Sequence, residues 1–161
     1  MGKVVAFDQS TVSVGWVCMS NGVFEAGGVF HPKEKPNYDD LRAFVRSIVS
    51  PGDVVVVESI YFGINPNTAL ELVRVQSHIW ATARDLGCLV EEIRPYASMR
   101  SLTGITSVKT KSKERKAAMV KSATLLLGEP VSEHFADALG LAWAYLKLSP
   151  VLDPEAAVGL F

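Results

Sequence analysis

Three carboxylates and one imidazole stand where chemistry would need them. "KVVAFDQSTVSVGW", residues 3–16, opens with an apolar run that stops at Asp8, and "DVVVVES", residues 53–59, runs the same way into Glu58. An unpaired carboxylate costs several kcal/mol to bring out of water, so a strand suited to burial that ends in an acid requires a partner or a cation. Farther on, "SEHFADALGLAWAY" at 132–145 puts His134 and Asp137 three residues apart in a helical pattern, where they project together. If the two strands are parallel neighbours, their carboxyl ends share the edge on which open α/β sheets keep their sites. Two acids facing each other there repel unless a cation lies between them, so the pair itself argues for a metal. Oxygen-rich ligands of this kind suit Mg²⁺ or Mn²⁺, and two such ions about 4 Å apart can activate a water and steady the leaving oxygen of a phosphodiester. The set reads as a nuclease centre. Taken singly, each piece has a plainer reading: Asp8 as the cap of the turn "DQST", Glu58 as an arginine's partner, His134 and Asp137 as first-turn residues favoured by the helix dipole.

The elements that must position these residues follow from patterning. Val4 to Phe7, Val12 to Met19 and Val23 to Phe30 are β-rich runs joined by short polar turns, the second of them Ser20-Asn21-Gly22 with hairpin chemistry. Asn37 suits an N-cap, and Leu41, Phe44, Val45, Ile48 and Val49 repeat at helical spacing until Pro51-Gly52. Residues 53–59 are apolar at consecutive positions, as in a strand covered on both faces. Pro66 starts a long helical pattern through Arg84, with Ala69, Leu72, Val73, Gln76, Ile79, Trp80 and Ala83 on its apolar side. A strand from Cys88 to Ile93 follows. The segment from Pro95 to Lys111 is mixed and polar, and two helices are expected at about Ser112 to Leu127 and Val131 to Leu148. The second carries a buried stripe of Phe135, Ala138, Leu139, Ala142 and Leu146. The order β-β-β-α-β-α-β-α-α is that of a mixed α/β sheet with helices packed on its faces.

With 161 residues, 48% of them hydrophobic, the chain can bury one core, and one domain is expected over residues 1–149. The amino terminus has neither the charged leader nor the unbroken apolar stretch of a signal peptide, and no segment is long enough to cross a bilayer; a cytoplasmic location and no membrane partner are expected. Cys18 and Cys88 lie in apolar, strand-like surroundings without a metal-type partner nearby in sequence and read as small core residues. The tail 150–161 has little to pack with and is expected to be mobile; its Leu160-Phe161 end is read either as a docking peptide for another replication or repair protein or as a segment folded back on the body. The formal net charge of −1 hides an uneven distribution: Arg94 to Lys121 holds eight basic residues against the single acid Glu114. That is the footprint of a face that meets a polyanion, or of a solvated helix and loop.

At "FDQS" with Gly15 following, "VVVESIYFGINPNTALEL" at 55–72, "KTKSKERKAAMV" at 109–120 and "HFADALGLAWAY" at 134–145, the chain resembles the RuvC family of Holliday junction resolvases, within the RNase H-like superfamily, from about Lys3 to Leu148. The resemblance implies an RNase H-like mixed five-stranded sheet, three antiparallel strands plus two parallel, with helices on both faces. It implies a Mg²⁺-dependent endodeoxyribonuclease, with Mn²⁺ able to substitute and two ions per site, that acts in DNA recombination and repair by resolving four-way junctions through paired phosphodiester hydrolysis. A broader flap or fork nuclease and an RNA-processing relative are the alternatives. The metal and catalytic positions fall on Asp8, Glu58, His134 and Asp137, with His134 either a metal ligand or the group that holds and deprotonates the attacking water. Lys113 matches the family's catalytic or phosphate-contacting lysine, though Lys109 and Lys111 are close rivals. DNA contacts are expected from these three, from Arg100, Arg115 and Lys116, and from Tyr61 and Phe62, which either stack near the junction centre or plug the space under the long helix. The family usually has Pro-Gly after the first acid, where this chain has Gln9-Ser10. Family members are two-fold dimers built on the helix that corresponds to residues 66–84, and Leu70, Val75 and Ala81 are apolar residues outside its main stripe, as a homodimer interface there requires.

Overall fold

Valine-rich runs form the centre of the sheet, because β-branched side chains pack well on a pleated surface covered from both sides. β1 (Val4–Gln9), β2 (Val14–Ser20) and β3 (Val23–Phe30) make an antiparallel meander; β4 (Val54–Glu58) and β5 (Leu89–Ile93) add parallel to β1, in the spatial order β3-β2-β1-β4-β5. This is the mixed sheet expected from the sequence. Asn21 and Gly22, at φ 50° and 79°, make the two left-handed corners of the β2–β3 hairpin. The computed structural model describes residues 2–33, 37–63, 65–107 and 109–148, so the expectations for the tail 150–161, Leu160 and Phe161 included, lie outside the described residues.

Helices cover both faces. α1 (Tyr38–Ile48) and α2 (Pro66–Asp85) pack on one, closing over Val5, Phe7, Val55 and Val57 with Val45 and Ile79. Asn37 caps α1 by accepting a hydrogen bond from the Asp40 N–H at 2.9 Å, and Asn65 with Pro66 starts α2 in the same way. On the other face, α3 (Pro95–Thr103), α4 (Ser112–Leu127) and α5 (Glu133–Leu148) close over Val4, Ala6, Val17 and Val56. α5 lies directly on the sheet and is buried nearly all round. Glycines permit that approach: a Cβ on Gly15 would lie 2.0 Å from the His134 carbonyl oxygen, and one on Gly27 2.5 Å from the Phe135 ring. Cys18 and Cys88 are free, buried thiols.

Several boundaries differ from the sequence reading, each for a local reason. β1 runs one residue past Asp8, the end read from the sequence, to Gln9, and Asp8 pairs with Gly15. β2 begins at Val14, not Val12, because the Ser10 hydroxyl accepts from the Val12 and Ser13 N–H groups and holds that turn apart from the ladder. α3 stands in a segment read as mixed and polar; its nine residues bury only Ser98 and Met99, too short a stripe to show as periodicity, although Pro95 and left-handed Gly104 mark its two ends. α5 starts at Glu133, two residues later than expected. The rotation of α2 is corrected too: Val75 is in the core, Leu72 and Val73 are half-buried, and Trp80 is exposed.

The contact between Gly15 and α5 generates a prediction. Gly15→Ala must push α5 off β2, so urea unfolding should show a loss of about 1–3 kcal/mol, the range typical of overpacking a tight interior.

Candidate active site

The β1–β4 register aligns the first two acids. Parallel pairing runs Val4↔Val54 through Phe7↔Val57, which makes Asp8 and Glu58 the next residues along two adjacent strands. Side chains alternate between faces, and Ala6 and Val56 belong to the core under α5 while Phe7 and Val57 belong to the other. Asp8 and Glu58 therefore both turn toward α5. Its first turn brings His134, whose Nδ1 lies 2.7 Å from Asp8 Oδ2, and Asp137 follows three residues later on the same helix. All four residues read from the sequence thus converge on one edge of the sheet.

Electrostatics shows how tense this edge is without a cation. Burial raises Glu58 from an ordinary 4.5 to about 8, and the charges of Asp8 and Asp137 add to the rise. Asp137 is raised from 3.8 to about 6 by burial and by Asp8, against the pull of Lys116 and His134. Asp8 is also raised by burial, although the hydrogen bond and charge of His134 and the charge of Lys116 oppose the rise. That same hydrogen bond raises His134. Among the described residues, no three His, Cys, Asp or Glu side chains form a ready-made ion cage. Three mutually raised carboxyl groups and an imidazole nevertheless make a donor set of the chemistry that hard divalent cations take.

The basic segment lies beside this edge. Lys116 Nζ bonds Glu133 Oε2 at 3.0 Å, and it is the lysine whose charge reaches Asp8, Asp137 and His134. Lys113, three residues earlier, lines the same open groove of about 820 Å³ with Ser112, Lys116, Lys121, Val131 and Glu133. Arg100, Lys109 and Lys111 are exposed and Arg115 is half-buried. Tyr61 and Phe62 are 76% and 59% exposed in the loop after β4, so the plug reading is set aside. Sequence reasoning gave no site role to Glu133, although a first-turn acid beside His134 was visible, nor to Gln9 and Gln76; it placed Gln76 on the apolar side of α2, but no local pattern reveals the neighbours of either glutamine.

A mixed five-stranded sheet in this order, with acids on adjacent central strands and on a helix crossing above them, defines an RNase H-like fold with a candidate nuclease centre. More specifically, the chain belongs to the RuvC family: the family's sequence model, crossover junction endodeoxyribonuclease RuvC, matches residues 30–145. Crossover junction endodeoxyribonucleases RuvC of Chloroflexus aurantiacus and Chloroflexus aggregans are each 26% identical over 163 aligned positions, covering 94% of this chain and 96% of theirs. Thermus thermophilus RuvC shares the fold at a TM-score of 0.65, 18% identity, 89% of this chain and 92% of that one. T. thermophilus RuvC in complex with Holliday junction substrate gives a TM-score of 0.67 at 19% identity, with 90% and 93% covered. The matched family span holds Glu58, His134 and Asp137; Asp8 precedes it, and strand register is what brings Asp8 to them.

The raised carboxyls set the pH response of the metal-free protein. Between about pH 4.5 and 8 the folded chain holds a proton on Glu58 that the unfolded chain has released, and Asp137 does the same from about 3.8 to 6, so stability must fall as pH rises through that window. Thermal melts in chelator should show a midpoint several degrees lower at pH 8 than at pH 5.5. If these carboxyls hold a divalent cation, millimolar Mg²⁺ should raise the midpoint more at pH 8, where Glu58 and Asp137 are more fully ionised, than at pH 5.5.

Proposed function

We propose that this protein is a Mg²⁺-dependent endonuclease that resolves four-way DNA junctions, with Asp8, Glu58, His134 and Asp137 as its metal and water site. The observation that carries the reading is the convergence of these four groups, from two strands and a helix, on one edge. Asp8, Glu58 and Asp137 would hold two divalent ions, Mg²⁺ with Mn²⁺ as a substitute. Ions bound there lower the pKa of a water and stabilise the charge that develops on the leaving oxygen. The chain's own groups do the rest. Asp8 engages Nδ1 of His134, which leaves the imidazole's other nitrogen to take a ligand position or to orient and deprotonate the attacking water.

DNA is held by position and charge. Lys113, Lys116 and their neighbours Arg100, Lys109, Lys111 and Arg115 would contact phosphates, a sequence-independent interaction that weakens steeply with salt. Exposed Tyr61 and Phe62 offer stacking surfaces in the loop that follows Glu58, where unpaired or splayed bases at a branch point would be met. Lys116 is better placed than Lys113 to act on the charge of the acids, so of the two it is the stronger candidate for the site itself. Branch shape, more than base identity, would supply the selectivity.

A two-fold dimer would place two such sites to nick a junction symmetrically. α2 carries the apolar face for it: Leu70 and Trp80 are 51% and 37% exposed, Ala81 is exposed and Val73 half-buried, and these positions recur on one side of the helix. Val75, placed on that face by the sequence reading, belongs to the core instead. Among the described residues no helix is long and apolar enough to cross a membrane.

Incubating a labelled synthetic four-way junction with the protein, with and without Mg²⁺, tests the proposal when products are sized on a denaturing gel beside flap, fork and linear duplexes. Paired, Mg²⁺-dependent cuts confined to the junction are expected. Asp8→Asn should cut at least 100-fold more slowly, on the order of the loss seen when a group stabilising transition-state charge is removed, yet retain junction affinity in a gel-shift assay. A Leu70→Glu/Trp80→Glu double variant should sediment as a monomer and lose the paired timing of the two cuts.

A further inference from the structure

Side chains close the end of the β1–β4 ladder. Backbone pairing between these strands ends at Phe7↔Val57, one residue short of the two acids. On its opposite edge β4 remains paired, through Glu58↔Ile93 and the Ser59 N–H donated to the Ile93 carbonyl at 2.9 Å. The Glu58 peptide groups on the β1 side are met by Gln9: its Nε2 donates to the Glu58 carbonyl at 2.7 Å and its Oε1 accepts from the Glu58 N–H at 3.4 Å. Those take the place of the two bonds that a continuing neighbouring strand would make. Gln76 of α2 reaches the same carbonyl from above, donating from Nε2 at 3.0 Å. A carbonyl oxygen has two lone pairs, and both are now engaged. Gln9 and Gln76 are each only 8% exposed, with Gln76 at the edge of an open pocket of about 260 Å³ that it lines with Ser77, Trp80 and Ala81.

We infer that Gln9 and Gln76 are positioning residues that clamp the Glu58 backbone, holding its carboxylate at a set distance from Asp8. The inference rests on the reading of Glu58 as part of the metal site. The physical need is plain. The ladder stops one residue short of Asp8 and Glu58, so that without added bonds the ends of β1 and β4 are free to splay. A primary amide that imitates a peptide continues the ladder by one step while leaving the Asp8 side chain to face α5. Gln76 ties the same point to α2, and with it the site to the opposite face of the sheet. Glutamines that merely satisfied a buried peptide would affect melting temperature and nothing else.

Gln9→Met keeps the length of the side chain and removes both amide bonds; Gln76→Met removes one. Each is compared with wild type by Mn²⁺ titration of the free protein followed by EPR, by kcat and KM for junction cleavage, and by gel-shift affinity. For Gln9→Met the expected result is a Mn²⁺ Kd raised about 10-fold and a kcat lowered about 10-fold, the scale on which supports of metal ligands act, with KM and junction affinity unchanged. Gln76→Met should move the same quantities in the same direction by less. If both variants keep Mn²⁺ Kd and kcat within about twofold of wild type, whatever their melting temperatures, the clamp has no positioning role. Should Gln9→Met not fold, the same criterion applied to Gln76→Met decides. Glu58→Gln serves as the control. Loss of cleavage and of Mn²⁺ affinity in the control, with both glutamine variants unaffected, overturns the clamp alone. Wild-type cleavage and Mn²⁺ affinity in Glu58→Gln overturn the site assignment and the clamp together.

Discussion

Carboxylates on adjacent parallel strands are forced into proximity by the ladder that joins those strands, and this enforced repulsion is the constraint around which the structure is arranged. Parallel register puts Asp8 beside Glu58 and turns both to one face, and α5 adds Asp137 above them. Burial amplifies the conflict, because a carboxylate that loses water has only its neighbours to stabilise it. The protein answers in three ways: His134 donates to Asp8, Lys116 lends its charge from the edge of a groove, and Glu58 retains its proton up to about pH 8. The last of these removes the charge of Glu58, so its repulsion with the other acids returns only as pH rises toward 8. Under the proposed function, a divalent cation held among the three carboxylates would let them ionise together.

The close seating of α5 follows from the same constraint. An imidazole can reach Asp8 only if the first turn of the helix lies against β2, and a side chain at position 15 would prevent that. Small residues along the helix, Ala136, Ala138, Gly140, Ala142 and Ala144, let it sink between the sheet and the helices α3 and α4. The core here is therefore shaped by the site as much as the site is held by the core. Close packing of this kind transmits small displacements, so the geometry of the edge is tied to residues that never touch it.

Charge is partitioned with similar economy. Acids sit on strand ends and in the first turn of a helix, while half of all lysines and arginines lie between Arg94 and Lys121, the stretch that holds α3, its connection and most of α4. Lys116 belongs to both regions, bonded to Glu133 at the rim of the groove and felt by Asp8 and Asp137. α2 is likewise shared: Gln76 reaches the Glu58 backbone, and one turn later Trp80, which lines an open pocket with it, is exposed.

Read alone, the amino-acid sequence determined the strands and most helices, because binary patterning and punctuation are local: "DVVVVES" could only be a covered strand, Asn37 and Pro66 mark helix starts, and His134 and Asp137 share a side by spacing. It also named the four residues of the candidate site and the basic segment. It left α3 hidden, since nine residues with two buried positions carry too little periodicity, and it turned α2 by enough to put Val75 outside and Trp80 inside. Only the tertiary structure decided that β1 runs past Asp8 to Gln9, that Lys116 rather than Lys113 is felt by the acids, that Tyr61 and Phe62 are exposed, and that Gln9 and Gln76 grip Glu58. The physical reason is separation along the chain: Gln9 and Glu58 are 49 residues apart, Asp8 and His134 are 126, and contacts over such distances are set by strand register and helix packing, which no local window of residues contains.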